Sequence, residues 1–147
     1  MSSTNGWDGV RNGMPEKGAS AEHRKHIAVA DIELFSALTG DRNPLHTDLE
    51  AATASRFGGL IVQGGVITGV LNAIVAEDLP GPGTVFLQIE WSFKKPVYVG
   101  DVITGRVEIL ETREDKPICT IETTVHNQDG DVCVTGTAVT YTSPLPG

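Results

Sequence analysis

Ten consecutive residues, Thr39-Gly40-Asp41-Arg42-Asn43-Pro44-Leu45-His46-Thr47-Asp48, hold the densest group of chemically useful side chains in the chain. Asp41 and His46 are separated by four residues, and Pro44 lies between them. The proline ring fixes its own φ and pushes Asn43 toward extended geometry, so the segment can fold back and bring carboxylate and imidazole toward one point. Such a pair could hold a water. Hydration of an α,β-unsaturated thioester needs a base for the water proton and an acid for the α-carbon, and a carboxylate with a histidine can supply both near neutral pH. It also needs donors aimed at the thioester oxygen, where enolate charge develops. Gly64-Gly65 opens a long apolar helical pattern and offers unpaired N–H groups, a positive dipole end and no side chain to block approach.

Simpler roles compete for the same residues. An Asp after a helix-ending glycine is often a turn residue, a loop His is often solvated, and a glycine pair can serve only close packing. Asp41, Asn43 and His46 also have the look of a metal loop. A calcium loop, however, wants Gly at its sixth position and Glu at its twelfth, where this chain has His46 and Ala52. Ser36, Ser55 and Ser92 lack a G-x-S-x-G context, and neither Cys119 nor Cys133 opens an electropositive helix, so covalent catalysis finds no support. His23, His26 and His126 fall in strands or their flanks and read as surface residues. The Gly81-Pro82-Gly83 loop is too short for a phosphate-binding motif, and Pro82 removes a donor.

The elements that must position these residues follow from periodicity. Residues 1–20 carry four glycines and few core-forming side chains, which predicts a mobile or surface-draped extension before a single domain over 21–147. A short strand over 24–29 leads to a helix with Asp31 as N-cap, Ile32, Phe35 and Leu38 on one face, and Gly40 as its stop. Residues 41–46 read as a loop, and Asp48 caps a second short helix through Phe57. Val66, Ile67, Val70, Leu71, Ile74 and Val75 then recur at helical spacing and predict a buried central helix, ended by Leu79-Pro80-Gly81-Pro82-Gly83.

Everything after that reads as strand. Val85, Leu87, Ile89, Trp91 and Phe93 alternate with polar or paler positions, and the pattern returns at Ile103, Val107 and Ile109 and at Cys119, Ile121, Thr123 and Val125. A last strand runs from about Asp131 to Tyr141. The fold class is therefore α+β, an antiparallel sheet wrapped around a long central helix.

The whole chain sets outer bounds. Its 147 residues, 39% of them hydrophobic, suffice for one domain with a real core. A net charge of −8 argues against nucleic acid as a partner, because counterion release requires clustered Lys and Arg. No apolar run before Gly18 suits a signal peptide, and the stretch Gly58 to Ala76 is too interrupted to span a membrane. Register would pair Cys119 near Ala138 rather than with Cys133, which disfavours a disulfide and suits a reducing, cytoplasmic setting.

At LTGDRNPLHTD (Leu38 to Asp48), FGGLIVQGG (Phe57 to Gly65), LPGPGTVFLQIEWSFKKPVYVGD (Leu79 to Asp101) and REDKPI (Arg113 to Ile118), the sequence resembles the MaoC-like, (R)-specific enoyl-CoA hydratases. The resemblance runs from about Ala28 to Thr142 and implies a single hot-dog domain that assembles as a homodimer or larger homo-oligomer. It further implies a catalytic dyad of Asp41 and His46, with the backbone N–H of Gly64 on the thioester oxyanion. The reaction implied is reversible hydration of a trans-2-enoyl-CoA to an (R)-3-hydroxyacyl-CoA, with coenzyme A or an acyl carrier protein as thioester carrier and no metal or redox cofactor. Many relatives have His-Gly where this chain has Gln63-Gly64, and a small hydroxyl residue near Asn72. Gln63 and Asn72 are accordingly expected to reshape the acyl pocket, with Asn43 and Gly65 as further substrate contacts. An acidic chain needs local compensation to hold coenzyme A phosphates, and Arg56, Lys94, Lys95 and Arg113 are the candidates, each equally readable as a solvated charge.

Two other functions stay open from the residues alone. A hot-dog thioesterase needs a carboxylate near the oxyanion helix, and the nearest helical acid, Glu77, lies more than three turns beyond Gly64. A non-catalytic acyl-thioester-binding module would need neither Asp41 nor His46.

Overall fold

The computed structural model describes residues 5–146. Five strands, β1 (Ser20–His26), β2 (Thr84–Phe93), β3 (Val102–Thr112), β4 (Ile118–His126) and β5 (Val132–Thr142), form one antiparallel sheet in the order β1-β3-β4-β5-β2. Four helices precede β2: α1 (Val29–Thr39), α2 (Pro44–Thr47), α3 (Leu49–Ala54) and α4 (Gly64–Glu77). The expected α+β architecture is the one observed.

The three inner strands are cross-paired so that their apolar residues stack on one face. Ile109 lies opposite Ile121, which lies opposite Ala138, and Val125 lies opposite Val134. All five side chains are buried. Helix α4 buries Ile67, Val70, Leu71, Ile74 and Val75 against this face. The helix can lie close because β3 has glycine at its centre: a Cβ on Gly105 would stand 2.8 Å from Val70 Cγ1. Full burial of each such aliphatic side chain contributes about 1.5–3 kcal/mol, so these five residues of α4 are a large share of the fold's stability.

Helix α1 departs from its expected capping and face. Ala28 is its N-cap, while Asp31 sits at the third helical position and its carboxylate accepts the Ala28 N–H at 2.8 Å. Burial alone would raise the Asp31 carboxyl, but that bond and the Lys25 ammonium at 2.9 Å outweigh it and hold the group below its ordinary range. The buried residues are Ile32 and Ser36, whereas Leu38 is 80% exposed, so the predicted Ile32-Phe35-Leu38 face is displaced by about one residue. Ile27, fully buried, joins β1 to α1 and bonds both ways to the turn before β3, donating to Asp101 O and accepting from Gly100 N–H.

Strand β2 also differs from its sequence reading. A register shift between Phe86 and Gln88 breaks the alternation, and β2 lies at the sheet edge. Val85 and Leu87 are exposed, and so are Ile89 and Phe93, which face the α4 side opposite Ala138 and Val134 but lie at the open edge, while Phe86 and Trp91, in edge-to-face contact at 5.8 Å, pack on the core. Both cysteines are free and buried, with Cys119 opposite Thr140, close to the expected register. Burial pushes both thiols up, which keeps them unreactive.

The expectation of a mobile N-terminal extension is corrected for residues 5–19, and residues 1–4 lie outside the described part. Trp7 is 3% exposed and Val10 also joins the core. The Trp7 indole N–H donates to Arg113 O and the Gly6 N–H to Glu114 O, both at 2.6 Å. A glycine-rich stretch can follow a surface this closely because Gly6 lies against the Asp115 backbone, where any side chain would clash. One tryptophan then outweighs the low apolar content around it. Trp7→Ala is expected to cost about 3 kcal/mol, read as a lower midpoint in chemical denaturation. An unchanged midpoint would show that the segment adds nothing to the domain.

Candidate active site

The segment that carries His46 folds as a one-turn helix rather than the expected loop. Asn43 caps α2, its side-chain oxygen accepting the Leu45 N–H at 3.1 Å, and Pro44 takes the first helical position, where its missing N–H costs nothing. Asp48 then caps α3 by accepting from Ala51 N–H. Upstream, Gly40 closes α1 at φ 84° with its N–H on Ser36 O, which turns the chain so that Asp41 follows immediately. The Thr39 hydroxyl accepts the Asp41 N–H, and Asp41 Oδ1 accepts the Asn43 N–H, both at 3.1 Å. Local caps thus fix the backbone of both acid–base candidates.

His46 is held at one specific nitrogen. Its Nδ1 lies 2.7 Å from Ile61 O, and a carbonyl oxygen can only accept, so Nδ1 carries the proton. The other nitrogen, Nε2, therefore presents a lone pair when the ring is neutral. It stands 4.0 Å from Asp41 Oδ2, with the His46 side chain 11% and the Asp41 side chain 37% exposed. That separation exceeds a direct hydrogen bond but suits one water at about 2.8 Å from each atom.

A cleft of about 300 Å³ brings His46 together with Gly64, walled by Phe57, Ile67, Phe93 and Val97. The first bond of the α4 ladder runs from Val66 N–H to Gln63 O, so the N–H groups of Gly64 and Gly65 have no acceptor within the helix. Gly64 is closely roofed: a Cβ there would meet Phe93 Cε1 at 2.9 Å. Phe93 and the Ile61 carbonyl escaped sequence reasoning. Phe93 looked like a core position of β2, and Ile61 acts through a backbone atom that its side-chain type does not report.

The remaining candidates separate. Lys94 and Lys95 line the same cleft, but Lys95 is tied to Asp131 at 2.5 Å, which raises its ammonium above the ordinary range. Arg56 is exposed beside the cleft residue Phe57. Asn43 is used as a helix cap and does not line the cleft. Gly65 and Asn72 line a different hollow of about 330 Å³ with Thr68 and Trp91, so neither shares the His46 cleft. Gln63 is 2% exposed and turned away, its amide N–H groups donating to Ile32 O and Ser36 Oγ. Its expected role as a pocket contact is corrected to a bond between helices. Arg113 sits at the far end of β3, roughly 30 Å from the cleft at about 3.3 Å per residue, and is bound by Asp115. It is not placed to touch a ligand at His46. Among the described residues no group of three or more His, Cys, Asp or Glu side chains could hold a metal ion. No helix among them is long and apolar enough to cross a membrane.

Comparison with known proteins places this arrangement in the hot-dog class of hydro-lyases. A solved structure of the (R)-hydratase from Aeromonas caviae superposes at TM-score 0.84 with 39% identity, covering 88% of this chain and 98% of that one. An unliganded R-hydratase from Pseudomonas aeruginosa gives TM-score 0.82 at 34% identity, covering 90% and 91%. In sequence, the (R)-specific enoyl-CoA hydratase of Aeromonas caviae is 40% identical over 84% of this chain and 92% of its own length. A mitochondrial 3-hydroxyacyl-[acyl-carrier-protein] dehydratase of Solanum lycopersicum is 31% identical over 88% of this chain and 76% of its own length. The MaoC-like domain model matches residues 11–130, and the chain belongs to that family.

The two glycines at the head of α4 are expected to differ in tolerance. A methyl at Gly65 would enter the half-buried Phe35 ring, whereas at Gly64 it meets the exposed Phe93, which can swing outward. Gly65→Ala should lose about 1–3 kcal/mol by overpacking, while Gly64→Ala melts near the wild type. Equal melting temperatures for the two variants would contradict this packing account.

Proposed function

We propose that the protein is an (R)-specific enoyl-CoA hydratase, adding water reversibly to a trans-2-enoyl-CoA to give an (R)-3-hydroxyacyl-CoA. The observation that carries the reading is the His46 tautomer, which leaves Nε2 free to face Asp41 across a gap of one water. The water oxygen attacks the β-carbon while the pair takes one of its protons, and the same pair returns that proton to the α-carbon. The other proton stays on the new hydroxyl. Charge that develops on the thioester oxygen meets the Gly64 N–H at the positive end of α4. The reaction moves protons without changing oxidation state and so needs no redox cofactor, and the proposal includes no metal. Coenzyme A enters only as part of the substrate.

Lys94 and Arg56, exposed near the cleft, are the proposed contacts for coenzyme A phosphates, with Lys95 already engaged by Asp131. The thioesterase alternative lacks a second carboxylate: Asp41, 4.0 Å from His46 Nε2, is taken by the dyad, and no acid lines the cleft of His46 and Gly64 itself. We also propose a homodimer joined along β2, because Val85, Leu87 and Ile89 leave an open sheet edge apolar and exposed. Two buried free thiols support a cytoplasmic location.

A spectrophotometric assay following loss of enoyl-thioester absorbance tests the activity. Asp41→Asn and His46→Gln should each lower kcat by 10²–10⁴-fold, about the contribution of a positioned acid or base. Full activity in both would remove the dyad, and release of free thiol without hydration would favour a thioesterase. For the assembly, Ile89→Lys is expected to sediment as a monomer where the wild type sediments as a dimer, and a dimeric variant would place the interface elsewhere.

A further inference from the structure

We propose that Gln63 is a positioning residue for the hydration reaction, its buried amide locking the helix that delivers Asp41 to the backbone that presents Gly64. The inference rests on the hydratase reading. Its ground is an unusual use of polar groups in the tightest part of the molecule. Gln63 stands at the N-cap position of α4 yet its side chain caps nothing. Instead Nε2 donates to Ile32 O at 3.3 Å and to Ser36 Oγ at 3.2 Å, both on α1. Ser36 is itself only 1% exposed, and Gln63 Oε1 has no hydrogen-bond partner among the described residues.

A buried amide with an orphaned oxygen is a poor choice for stability. Leaving such an acceptor unmade costs about 1–3 kcal/mol, and an apolar side chain of the same shape would fill the space at no penalty. The placement of the lock points to what it does instead. Ser36 O accepts the Gly40 N–H that ends α1, and Asp41 follows directly. On the other side, Gln63 is two residues after Ile61, whose carbonyl holds His46, and one before Gly64. Phe35, beside Ser36, packs on Gly65 and makes the same joint from its apolar side. One hydrogen-bonded side chain therefore sets the distance of Asp41 from both His46 Nε2 and the oxyanion donor. Displacement of a reacting group by about 1 Å can cost up to 10²-fold in rate, so a small slip of α1 would show in kcat.

The test replaces the polar pair by an apolar one, Gln63→Leu with Ser36→Ala. The expected result is a melting temperature at or above wild type, kcat lower by about tenfold to a hundredfold, and KM for crotonyl-CoA within about threefold. That split separates positioning from mere structural support, which would lower the melting temperature, and from substrate contact, which would raise KM. Gln63→Glu gives a second reading if the pair fails to fold. Its protonated carboxyl can donate to Ile32 O and its carboxylate cannot, so kcat should fall as pH rises through that carboxyl's burial-raised pKa, a step absent from wild type. A kcat within twofold of wild type in the folded apolar variant, or a pH profile of Gln63→Glu identical to wild type, would overturn the proposal alone. A wild type that hydrates no enoyl thioester would overturn the hydratase reading beneath it.

Discussion

The hydrogen bond from His46 Nδ1–H to the carbonyl of Ile61 is the constraint on which the rest of the site depends. It selects the tautomer, orients the ring, and ties α2 to the extended chain that leads into α4. Without it the imidazole could present either nitrogen, and the gap to Asp41 would have no fixed chemistry. Because the acceptor is a backbone oxygen, its position is set by the strand-like bonds around it: Ile61 N–H to Leu45 O, Val62 N–H to Val97 O, and the bridge of Ile61 to Tyr98. Four consecutive residues, Ile61 to Gly64, thus carry the histidine anchor, the tie to α1 and the glycine donor in one short rigid run.

That run is rigid because α4 is. The helix buries an apolar stripe on the inner strands, and Gly105 lets it lie close to β3 at Val70, Leu71 and Ile74. Glycine at its first two positions has two packing reasons: Gly64 lies under the Phe93 ring and Gly65 against the Phe35 ring. Apolar contacts hold the body of this one element, while the N–H groups of Gly64 and Gly65 at its start have no acceptor within the helix. The N-terminal segment acts at the opposite pole of the sheet, where Trp7 clamps the β3–β4 turn, so reinforcing the fold there leaves the cleft untouched.

Sequence periodicity was most informative where one face of an element is buried along its whole length. The stripe on α4 and the alternation at Ile103, Val107, Ile109, Cys119, Ile121 and Val125 appear in the structure as read, since burial of a continuous face forces a regular pattern. Reading failed where one interaction overrode local pattern. A bulge broke the parity of β2 and its place at the sheet edge left its apolar residues exposed, a cap and a proline made a helix of the His46 loop, and a single tryptophan drew a glycine-rich extension into the core. Each is a tertiary or capping effect of one or two residues, too small to alter a periodicity.

The sequence by itself determined the chemistry available: a carboxylate and an imidazole around a proline, and glycines at the head of an apolar helix. Only the tertiary structure decided how these groups are used, because distance and partner are properties of chain segments far apart in sequence. His46 gained its tautomer from a carbonyl fifteen residues away. Gln63, which looked like a substrate contact, faces α1 thirty-one residues upstream of it, and Arg113 lies at the wrong end of a strand. Residue type sets what a side chain can donate or accept, and the packing of α4 on the sheet sets which atom it meets.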